Sequence, residues 1–226
     1  MNDSEKSVKE AIELQVRLSE KLVIRGKPLK INYIAGVDVA YTKDTNISIC
    51  VIVLFSYPEI ELLDISSYHS KTGFPYIPGL LYFREGPVIL ETFEKLKTRP
   101  DIIIFDGHGI AHPRRFGLAS HIGLLLNIPS IGCAKSMLYG FYEEPAKKRG
   151  SRTLIYNDQH KPIGIVLRSR ENVKPVFISP GHLVGIRESA EIIVNCLTRY
   201  RIPEPLRIAD IEARKFVKKV SNELLN

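Results

Sequence analysis

Between Pro100 and Gly107 the chain reads Asp-Ile-Ile-Ile-Phe-Asp, an apolar run with no polar break between Asp101 and Asp106. A strand that is apolar at every position buries both of its faces, as a parallel strand does when helices cover it on either side. The three segments before it obey a different rule. Tyr33–Tyr41, Ile47–Ser56 and Ile60–Ser67 are strand-like, and their links at Lys43-Asp44-Thr45-Asn46 and Tyr57-Pro58-Glu59 are turn sequences short enough to require antiparallel neighbours. Leu80–Lys97 is predicted helical, with an interruption at Gly86-Pro87 where proline can start a fresh turn. Arg114–Leu126 is amphipathic and predicted helical, and Pro129–Cys133 is a second short buried strand. Three antiparallel strands followed by helix, strand, helix and strand predict an α/β fold whose mixed central sheet is flanked by helices.

On either side of this block the pattern is simpler. Val8, Ala11, Ile12, Leu18 and Leu22 fall near a helical period, with Gln15 an exception, in a helix that Asp3 or Ser4 can cap and that Gly26 and Pro28 end. Its expected place is as a lid on the sheet. Strands are predicted at Thr153–Tyr156, Ile163–Arg168 and Val176–Ile178, and helices at Arg187–Arg201 and Leu206–Leu225. With no internal repeat and no low-complexity linker, residues 1–226 are expected to form a single domain. The longest apolar stretch, Ile47–Phe55, is far short of the roughly 18 residues a membrane span needs. Met1–Glu10 carries charge from its third residue and has no apolar signal core, so cytoplasmic residence is expected. Cys50, Cys133 and Cys196 lie in apolar runs without metal-ligand spacing and are expected to be reduced core thiols. Lysine and arginine exceed aspartate and glutamate by 7, which admits a polyanion as partner without requiring one.

Among the acids, Asp38 lies on the strand face opposite Val37 and Val39, and its same-face neighbours Gly36 and Ala40 are small, leaving space for a cation and a substrate backbone. Asp106 ends the apolar strand and is followed by Gly107-His108-Gly109, at the kind of strand end where α/β sheets gather ligands. Glu85 sits in Phe83-Arg84-Glu85-Gly86-Pro87, and Asp210 falls early in the last helix among basic residues. Taken alone, Glu85 reads as a carboxylate meeting a helix start and Asp210 as half of a salt bridge. Asp101, Asp44 and Asp158 read as strand-start and turn residues. Two strand acids, one acid from the crossover helix and one from the terminal helix match the layout of the ribonuclease H-like nuclease fold, in which distant carboxylates supply hard oxygen ligands for Mg²⁺.

Five blocks then occur in a fixed order: Pro75-Tyr76-Ile77-Pro78-Gly79, Phe83-Arg84-Glu85, Asp106-Gly107-His108-Gly109, Ala111-His112-Pro113-Arg114 and Ala134-Lys135-Ser136. By these the chain resembles endonuclease V, the deoxyinosine 3′-endonuclease family, from about Gly36 to Arg214. The resemblance implies that Asp38, Glu85 and Asp106 are catalytic metal-binding acids and that Asp210 stands at a further position where the family has Asp or His. It puts His112 and Lys135 at active-site positions. Lys135 could neutralise a phosphate oxygen and His112 could hold a water or a second metal, or His112 could cap a helix beside Pro113 and Lys135 face solvent.

Two prolines stiffen the loop that carries Tyr76 and Ile77, so an aromatic tip can enter a base stack. The family uses this loop as a wedge at the lesion; the ordinary fate of such a Tyr is packing on a core. The resemblance also puts Gly79, Leu81, Gly107, Gly109, Gly132 and Leu138, with Ile77 and Pro78, around the pocket for an extruded base, although these glycines could equally serve turns. Ser179-Pro180-Gly181-His182 matches a further family block and reads as a turn that offers donors to a phosphate or caps the following helix. The pairs and clusters Arg114-Arg115, Lys147-Lys148-Arg149 with Arg152, Arg199 with Arg201, and Lys218-Lys219 are solvated faces, some of which should track a DNA backbone.

The resemblance implies a Mg²⁺-dependent repair enzyme, with Mn²⁺ able to substitute. It would act as a monomer on DNA containing deoxyinosine and hydrolyse the second phosphodiester bond 3′ to the lesion, leaving 3′-hydroxyl and 5′-phosphate ends. An inosine-specific ribonuclease acting on inosine-containing RNA and a lesion-binding protein that does not cut stay open as alternatives.

Overall fold

The computed structural model describes residues 3–26, 30–43 and 45–225. The side chains of Asp3 and Ser4, Pro28, and Asp44 of the first turn lie outside the described residues. Helix α1 (Asp3–Ser19) precedes the antiparallel strands β1 (Tyr33–Tyr41), β2 (Ile47–Ser56) and β3 (Leu62–Lys71). Then come α2 (Leu81–Phe93), β4 (Ile102–Phe105), α3 (Leu118–Leu126) and β5 (Ser130–Ala134). The last part holds β6 (Phe141–Tyr142), β7 (Arg152–Tyr156), β8 (Pro162–Leu167), β9 (Val176–His182), α4 (Ile186–Asn195) and α5 (Glu204–Leu225). The strands form one sheet in the order β3-β2-β1-β4-β5-β9-β8-β7-β6. β4 runs parallel to β1 and to β5, and the other neighbours are antiparallel. This is the mixed, helix-flanked sheet that the sequence pattern predicts. Among the described residues no helix is long and apolar enough to cross a membrane.

Both faces of the central strands are buried, which explains the apolar run from Ile49 to Phe55 in β2. Val51 and Val53 join Ile34, Ile102 and Ile104 in a core that α4 and α5 cover through Ile192, Ile193, Leu206, Ala209 and Ala213. Cys50, Ile52 and Leu54 point the other way, to Val37, Ile103 and Phe105 under α2 and α3. The three cysteines are free and buried, as expected of core thiols, and burial raises all three thiols above their ordinary value.

Several boundaries differ from the sequence pattern, each for a tertiary reason. β3 starts two residues late because Ile60 takes a left-handed φ of 58° in the turn before it. α2 runs through Pro87 without interruption, since burial of Val88, Ile89 and Phe93 holds the turns around it. Gly86 beside it makes room for the Tyr82 ring, which stacks on His121 with centroids 3.3 Å apart. α3 begins at Leu118 and not at Arg114: Arg115 is left-handed, and the Gly117 N–H bonds back to the Gly109 carbonyl. Ser179-Pro180-Gly181-His182 is no turn but the end of β9, buried throughout. There the Ser179 hydroxyl accepts the Gly109 N–H and the Pro180 carbonyl accepts the Ile110 N–H.

Candidate active site

Register brings the first two acids together. Val37 pairs with Phe105 across the parallel β1–β4 ladder, so Asp38 and Asp106 are the next residues along on adjacent strands. Glu85 enters from α2, and the charges of Asp38 and Asp106 act on it. Asp210 enters from α5, and its charge acts on Asp38 and Lys135. It also accepts an ion pair from Arg214 at 2.9 Å, so the salt-bridge reading holds beside the site reading. The room expected beside Asp38 is not open to a substrate. A Cβ at Gly36 would run into the backbone of Pro205, and Ala40 packs on the core that contains Leu206, Ala209 and Ala213. The small residues admit α5, and α5 carries Asp210.

Burial and mutual charge act on the acids of this cluster. Burial, then the charge of Asp106, pushes the Asp38 carboxyl up to about 7. Burial pushes Glu85 to about 8, against a 2.8 Å hydrogen bond from the Tyr41 hydroxyl. Burial works to lower the Lys135 ammonium, yet the hydrogen bond and charge of Asp106 hold it above its ordinary value. Its Nζ lies 2.5 Å from Asp106 Oδ2. Both side chains keep solvent access, and such a pair contributes only about 0–1 kcal/mol to stability. Arg201 Nη2 donates to the Lys135 carbonyl at 2.6 Å, and the His108 ring bonds the Ser136 carbonyl at 3.0 Å, so the backbone beside the ammonium is fixed.

Among the described residues no three His, Cys, Asp or Glu side chains form a ready-made metal cage. The donor chemistry nonetheless fits a hard divalent cation: oxygen ligands only, two of them, Asp38 and Glu85, raised by burial in a way that a positive charge would relieve.

Beside the acids lies a cavity of about 320 Å³, within the size range of small-ligand sites. Tyr76, Ile77, Pro78, Gly79, Leu81, Asp106, Gly107, Lys135 and Leu138 all line it. Tyr76 is 69% exposed, so it is not packed on the core. Gly109 and Gly132 do not line the cavity. A Cβ at Gly132 would meet the Gly107 carbonyl at 2.6 Å, and one at Gly109 would strike the Pro180 carbonyl; both glycines let strand ends close up behind the wall.

His112 lines the cavity and holds the loop beside it. Its Nε2–H donates to the Gly79 carbonyl at 2.9 Å and its Nδ1 accepts the Arg114 N–H at 3.1 Å. Burial lowers it to about 4, which keeps this neutral form. Arg114, expected on a solvated face, is half-buried and donates to Gln15 and Gly79. Asp101 accepts the Asn32 and Tyr33 N–H groups at the start of β1, and Asp158 accepts the Tyr139 hydroxyl, as turn and strand-start residues do.

Tyr41 and Gln15 stand beside the site without being singled out for function by the sequence pattern. Gln15 leaves a signal, as the polar break in an apolar stripe, and Tyr41 leaves none.

The family model for endonuclease V matches residues 13–211. An endonuclease V from Dictyoglomus turgidum is 48% identical over 208 residues, spanning 92% of this chain and 90% of that one. The crystal structure of the Streptomyces avermitilis endonuclease V superposes with a TM-score of 0.89 at 35% identity over 94% of each chain. The Ciona intestinalis endonuclease V, crystallised with a 23mer DNA containing an inosine followed by a ribo-adenosine, superposes with a TM-score of 0.84 at 27% identity, over 97% of this chain and 100% of that one.

Proposed function

The chain belongs to the endonuclease V family, and on that premise we propose that it nicks DNA at deoxyinosine, hydrolysing the second phosphodiester bond 3′ to the lesion. The products are a 3′-hydroxyl and a 5′-phosphate. One observation carries the reading: Asp106, whose charge acts on the chain-distant Asp38 and Glu85, and the Lys135 ammonium line a cavity whose rim holds an exposed Tyr76.

Asp38 and Asp106, with Glu85 and Asp210 beside them, would hold Mg²⁺ or Mn²⁺. When bound, the cation supplies an acidified water and positive charge for an in-line displacement at phosphorus. The rest falls to the chain. Tyr76, on a loop stiffened by Pro75 and Pro78, enters the stack where the damaged base leaves it, which costs least at a weakened pair. The extruded base occupies the cavity, where the backbone at Gly79 and Gly107 can approach its edge without a side chain between. Lys135 moves from the Asp106 carboxylate to a phosphate oxygen and neutralises charge that grows in the transition state. His112 holds the Gly79 loop at the cavity wall.

A second reading is inosine-containing RNA, favoured by the ribo-adenosine that follows inosine in the DNA of the Ciona complex. Labelled duplex DNA with one deoxyinosine, the matching RNA and an undamaged duplex, each with Mg²⁺ or EDTA, separate the readings when Asp38→Ala and Asp106→Ala are run alongside. A metal-dependent nick of the deoxyinosine strand, lost in both variants, is expected. Cleavage confined to RNA selects the ribonuclease. Binding without any metal-dependent nick refutes the enzyme and leaves a lesion-binding protein.

A further inference from the structure

Gln15 interrupts the apolar stripe of α1, yet it is 1% exposed and every polar atom of its amide group is used. Nε2 donates to the Gly79 carbonyl at 2.9 Å and to the Phe116 carbonyl at 3.1 Å, and Oε1 accepts Arg114 Nε at 2.6 Å. The Gly79 oxygen collects two more donors, His112 Nε2 at 2.9 Å and Arg114 Nη2 at 2.8 Å. One carbonyl offers two lone pairs. Three side-chain donors from α1 and the 112–114 loop, one of them cationic, exceed what satisfying a buried oxygen requires. They fix it in place.

The oxygen so fixed ends the loop that bears Tyr76. Gly79 is left-handed at φ 82°, and a Cβ there would stand 2.8 Å from Arg114 Nη2 and 3.2 Å from His112 Nε2, so the donors close on the backbone itself. At the loop's other end the Phe74 carbonyl accepts Arg84 Nη1 at 2.8 Å. The helix that carries Gln15 is anchored in turn. Just beyond α1, the Val23 carbonyl accepts the Leu183 N–H at 2.7 Å, the Gly26 carbonyl accepts the Gly185 N–H at 2.8 Å, and Leu22 and Ile24 pack on Ile155, Ile163 and Phe177. Gln15, Gly79 and Tyr76 line one cavity.

We infer that Gln15 is a positioning residue for lesion recognition: through the Gly79 carbonyl it sets the base-reading edge of the cavity against Tyr76, and α1 is thereby part of the lesion site. This rests on the reading of that cavity as the seat of the extruded base. A purely structural Gln15 would affect melting and leave selectivity alone, so the test reads both. Gln15→Met keeps length without donor or acceptor, Gln15→Glu keeps the Arg114 contact but loses both donations, and Leu22→Ala loosens the same segment without touching the clamp. Each is compared with the wild type in thermal melting, and in binding and single-turnover cleavage of deoxyinosine and undamaged duplexes. A 2-aminopurine placed next to the lesion reports Tyr76 entry.

In both Gln15 variants the preference for deoxyinosine should fall by about ten- to hundredfold, the scale of a small misplacement at a reacting centre, with a matching loss of 2-aminopurine signal. Leu22→Ala should melt earlier with its preference intact. Should Gln15→Met fail to fold, Gln15→Glu carries the comparison. An unchanged preference in the folded Gln15 variants, or an equal fall in Leu22→Ala, overturns the inference alone. A wild-type protein with no preference for deoxyinosine overturns the underlying reading and this inference with it.

Discussion

Replacing Gly36 with alanine tests how the site is assembled. Gly36 shares a face of β1 with Asp38, and an added Cβ would run into the Pro205 carbonyl and stand 2.8 Å from the Pro205 Cβ. Comfortable carbon contacts begin near ~3.5 Å, so α5 must withdraw or β1 must bow by roughly 1 Å. Overpacking on this scale costs about 1–3 kcal/mol. For a chain of 226 residues each kcal/mol lowers Tm by about 2–4 °C. The same movement draws Asp210 away from Asp38, and a misplacement of ~1 Å can lower a rate about a hundredfold. Differential scanning fluorimetry and single-turnover nicking of a deoxyinosine duplex measure the two effects. Gly73→Ala serves as the stability control, because a Cβ there meets nothing within 4 Å. An earlier melt and a slower nick are expected for Gly36→Ala alone. If that variant melts with the wild type and cuts at full rate, α5 is not pressed onto β1, and the role given to Gly36 fails.

Stability in EDTA should depend on pH through the two raised acids. Asp38 and Glu85 keep their protons in the fold to about 7 and 8 but have ordinary values of 3.8 and 4.5, so between these limits the unfolded chain binds fewer protons and stability falls as pH rises. At 1.36 kcal/mol per unit, Asp38 alone accounts for on the order of 4 kcal/mol. Melting should therefore drop from about pH 4 to about pH 8, and Mg²⁺ should restore more of it at the higher pH; a flat profile refutes the buried-acid account. Tyr76→Ala should leave Tm unchanged, because the ring is 69% exposed, while lesion preference falls by the ~1–3 kcal/mol of one lost stacking contact in a binding titration. Lys135→Met should slow nicking about 100- to 1,000-fold with little change in Tm, and equal rates would remove Lys135 from the mechanism. Binding to undamaged duplex should weaken with salt at a logarithmic slope of about −0.9 per phosphate contacted.

The parts legible in the sequence are those fixed by local rules. β1 and β2 occupy the expected residues because alternation and turn chemistry decide them within a few neighbours. Asp106 was findable because an apolar run ends there, and Asp38 because strand alternation isolates it. What escaped depends on partners distant in the chain. Pro87 reads as a break until the burial of its neighbours is known. The segment from Arg114 to Gly117 reads as helix until Gly117 is seen bonded to Gly109. Glycine is the sharpest case. At positions 36, 109 and 132 the sequence announces a close approach without naming what approaches, and the visitors are Pro205, Pro180 and the Gly107 turn rather than a ligand.

With the proposed function, those close approaches put lesion reading and cutting on one piece of backbone. Asp106 lies among the acids and Gly107 lines the cavity, so a single peptide unit joins the two sites. The turn around them is held by the Gly109 N–H on Ser179, the Ile110 N–H on Pro180 and the Ala119 N–H on the His108 carbonyl. Gly132 lets β5 press against that turn, and β5 runs directly into Lys135. A base entering the cavity therefore meets walls whose other ends are the carboxylate and the ammonium. On this geometry an undamaged base, which stays stacked, leaves the Tyr76 loop and the Gly107 edge without a ligand while the acids remain in place. Lesion preference should then reside mainly in the loop, and cation affinity in the acids. The two properties should separate by mutation, with Tyr76→Ala altering only the first and Asp38→Ala mainly the second.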